Sequence, residues 1–445
     1  MTRRAYPAYK PSGIEWLGKI PKHWKIRKLK YIASVQFSNV DKDSVDGEEP
    51  VRLCNYVDVY NNDFITNDLA FMQATATRVE IGKFTVRQGD VIITKDSESW
   101  DDIAVPAYVS DDLQGVLCGY HLAQIRAKSQ SIDGKYLFRA FSSKDINYQF
   151  QVAATGITRY GLGNYWLENG LFLVPPLEEQ RTIAAFLDRE TARIDGLIEK
   201  KQRQIELLQE KRSALISHAV TKGLDPNAKM KYSGIEWLGE IPEHWEIKRI
   251  KNIGHIKYGL GEPPRSLDTG LPIIRATDIS GGKINMATVQ RIDPDDVPWS
   301  RDPSLQTNDI LVVRSGAYTG DSAIVQPEVA GAIAGYDMVL RVTKASPYFV
   351  AYALLSKYLL QGQIYLEKMR AAQPHLNAEE LGNCIILIPP KPEQEEVVSY
   401  LDKETANLDK TLAKIDNSTS ILLKYRTALI STAVTGKIDV REEVS

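Results

Sequence analysis

With 445 residues the chain is long enough for two or more domains, each burying its own core. A hydrophobic fraction of 43% and a charged fraction of 25% are typical of soluble globular proteins, and no apolar run could span a bilayer, which excludes an integral membrane protein. The net charge of −2 means that any binding of nucleic acid must depend on local basic surfaces. Three scattered cysteines and an N-terminal segment without an apolar core predict a cytoplasmic protein.

The sequence contains an internal duplication. Residues 12–18 read SGIEWLG, and residues 233–239 repeat the same seven letters. A second shared block begins with a Pro-Pro pair and ends in ALIS, at residues 175–217 and 389–431. The segments between these blocks resemble each other far less than the blocks do. Each half of the chain therefore consists of two shared blocks around a variable segment.

The first half begins with an apolar anchor and continues with short strands. The apolar residues of the anchor, which lies within residues 1–30, are Trp16, Leu17, Ile20 and Trp24. In the variable segment, the alternation of apolar runs and turn residues predicts strands at 51–53, 91–93 and 121–126 and a helix over about 135–150. The second half predicts the same order, with strands at 273–275, 310–313 and 337–342 and a helix over about 347–369. Each half is expected to hold one mixed α+β domain.

Long helices are predicted after each Pro-Pro pair, over about 178–221 and 392–435, because proline costs no hydrogen bond at a helix start. Selected positions along both helices step by four and three residues, which is the spacing of a coiled-coil seam. A short linker after Gly223 and the need of each seam for a partner predict that the two helices pack antiparallel. The apolar seam residues are Ile194, Ile198, Ile205, Leu208 and Leu215 in the first helix and Leu408, Leu412, Ile415, Leu422 and Leu429 in the second.

Two motifs have the spacing of a functional site but lack residues that such a site requires. Residues 13–19 read G-x-x-x-x-G-K, but Ile20 stands where a phosphate loop needs Ser or Thr, and Glu240 replaces the lysine in the second copy. Cys118 and His121 have the spacing of half a metal site that no second pair completes, which favours a partly buried pair. We therefore predict neither a catalytic residue nor a metal ligand in this chain.

Basic and polar residues in both halves are candidates for DNA contact. Of a basic cluster that follows the first shared block, only the later trio keeps its charge in the second copy, so only that trio suits phosphate contact. Polar loops near the strand ends of each variable segment carry side chains that can pair with base edges, although a plain solvated surface is the alternative for each. The candidate DNA-binding residues are Arg27, Lys28, Lys30, Lys95, Ser97, Thr158, Arg159, Tyr160, Lys248, Arg249, Lys251, Arg314, Ser315, Gln373, His375 and Asn377.

The shared blocks resemble a known family. SGIEWLG with Ile-Pro-x-His-Trp, and Pro-Pro with Glu-Gln before a long helix that ends in ALIS, are similar to the specificity subunit of Type I restriction–modification systems, and the resemblance covers nearly the whole chain twice. It implies an α+β fold in which two tandem target-recognition domains are separated by two long antiparallel coiled-coil helices with pseudo-two-fold symmetry. The implied segments are a first recognition domain, a first spacer helix, a second recognition domain and a second spacer helix, at 1–173, 174–224, 225–387 and 388–445.

The resemblance also implies a function and a set of partners. Each domain would read one half of a bipartite target in double-stranded DNA, and the chain itself would not be catalytic. Two methyltransferase subunits would dock on it, restriction and translocase subunits would join them, and the assembly would methylate adenine and restrict unmodified DNA. S-adenosylmethionine, ATP and Mg would belong to those partner subunits.

Two other classes of function stay open. A fused enzyme with its own methyltransferase or nuclease centre is opposed by the missing motifs, and methyl transfer by the purified chain would reveal it. An assembly scaffold without DNA contact is opposed by the divergence of the variable segments inside a shared frame. A gel-shift experiment with a methyltransferase partner would separate the scaffold from a DNA reader.

Overall fold

The computed structural model describes residues 4–262, 264–368 and 375–443. The chain divides into two compact units, Met1–Lys201 with Asn417–Ser445, and Gln202–Asp416. Each unit holds one mixed α/β domain and one part of each of two long helices, so the predicted combination of strands, short helices and long helices is present. Within the described ranges no helix is both long and apolar enough to cross a membrane. The four segments expected at 1–173, 174–224, 225–387 and 388–445 stay a prediction.

In the first unit, short strands alternate with helices before the first long helix. Its strands are Tyr9–Pro11, Lys19–Pro21, Lys25–Lys28, Ala33–Phe37, Glu49–Cys54, Phe64–Ile65, Met72–Ala76, Val91–Thr94, Asp96–Ser97, Pro106–Val109, Val116–Cys118, Leu122–Ala127, Tyr160–Gly161 and Leu171–Val174. Its short helices are Leu29–Ile32, Tyr56–Tyr60, Arg78–Phe84, Gly134–Phe141, Lys144–Gln151 and Asn164–Asn169, with a 3-10 turn at Trp100–Asp102.

The second unit follows the same order, with more 3-10 turns among its strands. Its strands are Met230–Tyr232, Glu240–Pro242, Glu246–Arg249, Gly254–Tyr258, Ser266–Leu267, Leu271–Ile274, Ile279–Ser280, Lys283–Ile284, Gln290–Ile292, Ile310–Val312, Ser322–Ile324, Ile333–Ala334, Met338–Val342 and Ile385–Ile388. Its short α-helices are Pro347–Leu354, Lys357–Leu359, Tyr365–Lys368 and Ala378–Asn383, with a π-helical turn at Leu360–Ile364. Its 3-10 turns are Ile250–Asn252, Ala276–Asp278, Pro294–Asp296, Trp299–Arg301 and Pro327–Val329.

The main sheets of the two units share an antiparallel core. In the first unit the strand order is Ala33–Phe37, Leu122–Ala127, Val91–Thr94, Pro106–Val109 and Phe64–Ile65, and only the last strand joins in parallel. In the second unit the order is Gly254–Tyr258, Met338–Val342, Ile310–Val312 and Ser322–Ile324, antiparallel throughout. The strands predicted at 91–93, 121–126, 310–313 and 337–342 are thus the central strands of these sheets.

The long helices are Leu177–Lys222 and Lys391–Val434, within one residue of their predicted bounds. The ten apolar seam residues are all buried or half-buried, and Gly223, in the left-handed conformation at φ 77°, follows the end of the first helix. One ion pair joins the two helices in each unit, Asp195 with Arg426 in the first and Arg212 with Asp409 in the second, and Arg189 contacts Glu443, which follows the second helix. The antiparallel pairing of the helices stays a prediction.

The duplicated frame fastens each domain to a long helix. The indole N–H of Trp24, which is fully buried, donates to Oε1 of Glu179 at 2.9 Å, and Nε2 of His23 lies 2.7 Å from Oε2 of the same carboxylate. The second unit repeats this arrangement with Trp245 at 3.0 Å and His244 at 2.7 Å, both to Glu393. The two glutamates lie in the first turns of the two long helices. The tryptophan, histidine and glutamate that recur in both copies therefore make the same contact in each unit.

Three sequence expectations were wrong in detail. Trp16 is 38% exposed and lies in the turn of a hairpin rather than in the apolar anchor. The helix expected over 135–150 is two helices separated by Ser142 and Ser143, and the hydroxyl of Ser142 donates to the carbonyl of Phe138 at 2.9 Å. The helix expected over 347–369 is broken after Leu354, where the hydroxyl of Ser356 donates to the carbonyl of Ala353. Serine ends helices in this way because its hydroxyl competes for backbone groups.

Candidate nucleic-acid interface

Three side chains of the second unit meet at one edge of its main sheet. The register places Tyr258 and Val312 opposite Met338 on its two sides, so residues just after Val312 and just before Met338 lie beside Tyr258. Arg314 and Tyr336 occupy those positions. The guanidinium carbon of Arg314 is 4.6 Å from the ring centre of Tyr258 and 4.3 Å from that of Tyr336. Two cation–π contacts therefore hold one guanidinium between two rings.

The backbone of Arg314 is also fixed. Its N–H donates to Oδ1 of Asp337 at 3.2 Å, and its carbonyl accepts from the N–H of Leu376 at 2.7 Å. Nη2 of Arg314 lies 3.4 Å from Nε2 of His375, and Ser315 pairs with His375 across an isolated bridge. Arg314, Ser315 and His375, which the sequence offered as separate candidates, are therefore neighbours in one site.

Asp337 is the acidic residue that contacts the backbone of Arg314. Its burial raises its pKa to about 6, and the negative charge of Asp278 acts in the same direction. The hydrogen bond from the backbone of Arg314 and the positive charge of that residue oppose the increase. A carboxyl group that changes charge near neutral pH therefore lies next to the candidate base reader.

The first unit builds the corresponding edge from different residues. Its register brings Phe37, the residue after Thr94 and the residues before Leu122 together. Lys95 and Tyr120 occupy the latter two places. Nζ of Lys95 lies 4.6 Å from the ring centre of Tyr120 and 5.9 Å from that of Phe37. Both units therefore place a cation between two aromatic rings at the same point of the sheet.

The two cations differ in their partners. Nζ of Lys95 is 2.5 Å from Oδ2 of Asp96, and Lys95 is only 8% exposed. Nδ1 of His121 lies 3.3 Å from the same oxygen, and Nη2 of the exposed Arg159 is 3.1 Å from Nε2 of His121. In the second unit, the described residues supply no carboxylate within ion-pair distance of the Arg314 guanidinium. The charge of Lys95 is thus neutralised by a neighbouring carboxylate, while Arg314 has no ion-pair partner in the part of the chain that the structure describes.

The remaining loop candidates of the first unit differ in exposure. Thr158 is exposed, whereas Tyr160 is half-buried and pairs with Ser97 in a short two-stranded ladder. Ser97 is 6% exposed and its hydroxyl lies 3.1 Å from that of Tyr56. Thr158 and Arg159 are therefore the exposed side chains of this set, while Ser97 is buried beneath the loop.

In the second unit, Asn377 has a structural contact of its own. Its amide oxygen accepts from the backbone N–H groups of Glu379 and Glu380, each at 2.9 Å, and so caps the helix that follows. Gln373 lies outside the described residues. That these sixteen candidates contact DNA stays a prediction.

The basic trio of the first unit converges on one amide. Lys28 and Lys30 donate to Oδ1 of Asn169 at 3.2 and 3.0 Å, and Arg27 is exposed on the same strand as Lys28. The shared acceptor holds two ammonium groups close together. Such a pair suits a phosphate, because both charges can face one anion.

The trio of the second unit repeats this contact. Arg249 and Lys251 donate to Oδ1 of Asn383 at 3.2 and 2.7 Å. Lys248 is different, since its ammonium group pairs with Glu246 at 2.6 Å. Two of the three predicted cations in each trio are therefore brought together by the fold.

The aromatic members of the two edges were not predicted from the sequence. Phe37 and Tyr258 end the first strand of each main sheet, and Tyr120 and Tyr336 precede the strand that is second in its order. A signal was present, because aromatic residues occur at corresponding places in both halves. Only the pairing of distant strands, however, shows that they flank Lys95 and Arg314.

The half metal site is not formed. The thiol of Cys118 is buried, which raises its pKa, while the imidazole of His121 contacts Asp96 and Arg159. Across the described parts of the chain, no group of three or more His, Cys, Asp or Glu residues is arranged to hold a metal ion.

Comparison with known proteins places the chain among related sequences and structures. The family model for the Type I restriction modification DNA specificity domain matches residues 21–207 and 242–417. The chain is 23% identical over 435 residues to the Type I restriction enzyme MjaVIII specificity subunit of Methanocaldococcus jannaschii, covering 95% of both chains. It is 27% identical over 323 residues to the EcoBI specificity subunit of Escherichia coli, covering 68% of this chain and 67% of that relative.

A solved structure shows the same fold. A chain from a study of complex assembly and conformational transition in the type I R-M system superposes with a TM-score of 0.69 at 18% identity, covering 94% of this chain and 99% of that one. Because the family model matches both halves and most of their length, this chain belongs to the Type I restriction–modification DNA specificity family, whose members are the subunits that recognise the DNA sequence.

Proposed function

We propose that each mixed domain reads one half of a bipartite target in double-stranded DNA and that the two long helices set the gap between the halves. The observation that carries this proposal is the pair of corresponding edges, where the same fold presents Lys95 in one domain and Arg314 in the other. A conserved frame with different side chains at the reading position suits the reading of two different base sequences. Residues of about 31–173 would read one half-site, and those of about 252–387 the other.

The chain acts in this proposal as the non-catalytic subunit of a larger complex. Two methyltransferase subunits dock on the repeated parts of the chain, related by the pseudo-two-fold symmetry of the duplication, and restriction and translocase subunits join them. The complex methylates adenine in its target and restricts unmodified DNA in the cytoplasm. S-adenosylmethionine, ATP and Mg are held by the partner subunits, and this chain holds none of them.

The methylome of cells that express this chain with its methyltransferase partner tests the proposal. We expect one methylated motif made of two specific parts separated by a gap of fixed length and unspecified sequence. A matched strain with the methyltransferase but without this chain should lack that motif. A continuous motif, or methylation that does not depend on this chain, would contradict the bipartite reading.

A further inference from the structure

We propose that Arg314 is a specificity-determining residue that donates two hydrogen bonds to O6 and N7 of one guanine in the half-site read by the second domain. This inference rests on the proposed function and adds the base and the residue that reads it. Bidentate contact from arginine to guanine is the commonest specific contact in the major groove, because the two donors of the guanidinium edge match the two acceptors of the base.

The contacts with Tyr258 and Tyr336 leave hydrogen-bond donors of Arg314 for a base. The guanidinium carbon lies over both rings, 4.6 and 4.3 Å from their centres. A guanidinium group has five N–H donors, and cation–π contact with two rings does not occupy all of them. Among its described neighbours, Nη2 contacts only His375, at a weak 3.4 Å.

The donors of Arg314 are also under-used within the protein. Its Nε is buried and has no hydrogen-bond partner among the described residues. Other arginines of the same domain contrast with this. Arg265 donates to Asp296 at 2.8 and 3.1 Å, and Arg341 donates to Asp309 at 2.8 Å from two of its nitrogens. Among the residues that the structure describes, the Arg314 guanidinium is thus held by two rings and one weak contact with His375 and has no carboxylate partner.

The fixed position of Arg314 favours specificity. Its backbone is anchored to Asp337 and Leu376, and its side chain is confined between two rings, so little freedom remains to be lost on binding. A guanidinium held in one plane accepts a base with acceptors at matching positions and rejects one without them. At the corresponding place in the first domain, Lys95 is a point charge paired with Asp96 and lacks such a fork.

The test uses the full-length chain in complex with its methyltransferase partner and a duplex that carries the target found in the methylome. Each guanine of both half-sites is replaced in turn by 7-deazaguanine, which removes the N7 acceptor. For the wild-type complex we expect one guanine in the second half-site at which this replacement weakens binding about ten-fold or more. In the Arg314→Lys variant, the same replacement should have little further effect, while other guanines should keep their effect.

Two controls separate a reading role from a folding defect. Arg265→Lys makes the same change at a guanidinium that is already paired with Asp296, and it should leave the wild-type pattern intact. Tyr336→Leu retains Arg314 but removes one of its rings, and it should reduce the effect at the same guanine only. Unchanged sensitivity of the first half-site reports that the complex is assembled.

The possible results are distinct. The inference is overturned if the second half-site contains no guanine, or if Arg314→Lys loses sensitivity at no single guanine. If wild-type binding responds to no base change in either half-site, the proposed function itself fails. A loss of sensitivity confined to one guanine of the second half-site supports the assignment of Arg314.

Discussion

At the level of single residues, Asp337, which lies next to Arg314, is a carboxyl group whose pKa is raised by folding. The folded chain holds Asp337 with a pKa of about 6, whereas the ordinary value is 3.8. The folded state therefore binds a proton more readily than the unfolded state between these values. The tighter proton binding of the folded state adds to the free energy of unfolding. This added stability is fully present below the ordinary pKa and is lost as the pH rises through about 6.

The pH dependence of unfolding tests this directly. Between about pH 5 and pH 7.5, the free energy of unfolding of the wild-type chain should fall by about 1 kcal/mol more than that of the Asp337→Asn variant. The variant cannot lose a proton at this position, so its curve serves as the baseline for all other groups. Urea unfolding at several pH values measures both curves, and parallel curves would contradict the raised pKa.

Glu179 and Glu393 offer a matched pair for measuring the frame contact. Both accept from a tryptophan N–H, but the side chain of Glu179 is 6% exposed and that of Glu393 is 24% exposed. Replacing Glu179 by alanine leaves a buried indole N–H without its acceptor. We expect Glu179→Ala to lower the free energy of unfolding by about 2–3 kcal/mol and Glu393→Ala by about 1 kcal/mol. Equal losses would show that burial does not set the strength of this contact.

At the level of elements, an arginine–aspartate pair joins the two long helices at corresponding positions in both units. The domain residue that contacts this pair has the opposite charge in the two units. Arg426 pairs with Asp195 in the first unit, and Arg212 pairs with Asp409 in the second. The domain residue that contacts the first pair is acidic, Asp63 on Arg426. The domain residue that contacts the second pair is basic, Lys283 on Asp409. Each domain is therefore matched in charge to its own part of the helices.

The two domain contacts should differ in strength. Asp63 faces Arg426 and also lies 3.6 Å from the fully buried Arg139, whereas the side chain of Lys283 is 68% exposed. We expect Asp63→Asn to lower the free energy of unfolding by about 1–2 kcal/mol and Lys283→Gln by less than about 1 kcal/mol, because water screens the exposed pair. Double-mutant cycles with Arg426→Gln and Asp409→Asn measure the two couplings. A stronger coupling for Lys283 would contradict this ranking.

The elements also show what sequence reasoning could and could not supply. The long helices were predicted to within one residue because their seam repeats every three or four residues over many turns. The loops with Lys95 and Arg314 were found because polar residues follow clear apolar strands. Their ring partners Phe37 and Tyr258 were not found, since only the pairing of strands far apart in sequence brings them near. The pattern of residues within one short stretch does not indicate which distant strand it will pair with.

At the level of the whole molecule, the duplication predicts two equivalent docking surfaces. The shared blocks hold the same contact twice, Trp24 with Glu179 and Trp245 with Glu393, so a partner that recognises one copy should recognise the other. Native mass spectrometry at saturating partner is expected to show two methyltransferase chains for each copy of this chain. A stable complex with only one methyltransferase chain would count against equivalent surfaces.

The final prediction concerns the independence of the two readers. Each domain has its own main sheet and its own edge with a cation between two rings, so changing one edge leaves the side chains of the other unchanged. Replacing residues 31–173 with the corresponding part of a family member of different specificity should therefore change one half of the methylated motif. The reciprocal replacement of residues 252–387 is the matched control and should change only the other half. The gap should stay the same in both hybrids, because both keep the long helices. If either hybrid altered both halves of the motif, or altered only the gap, the two domains would not read DNA independently.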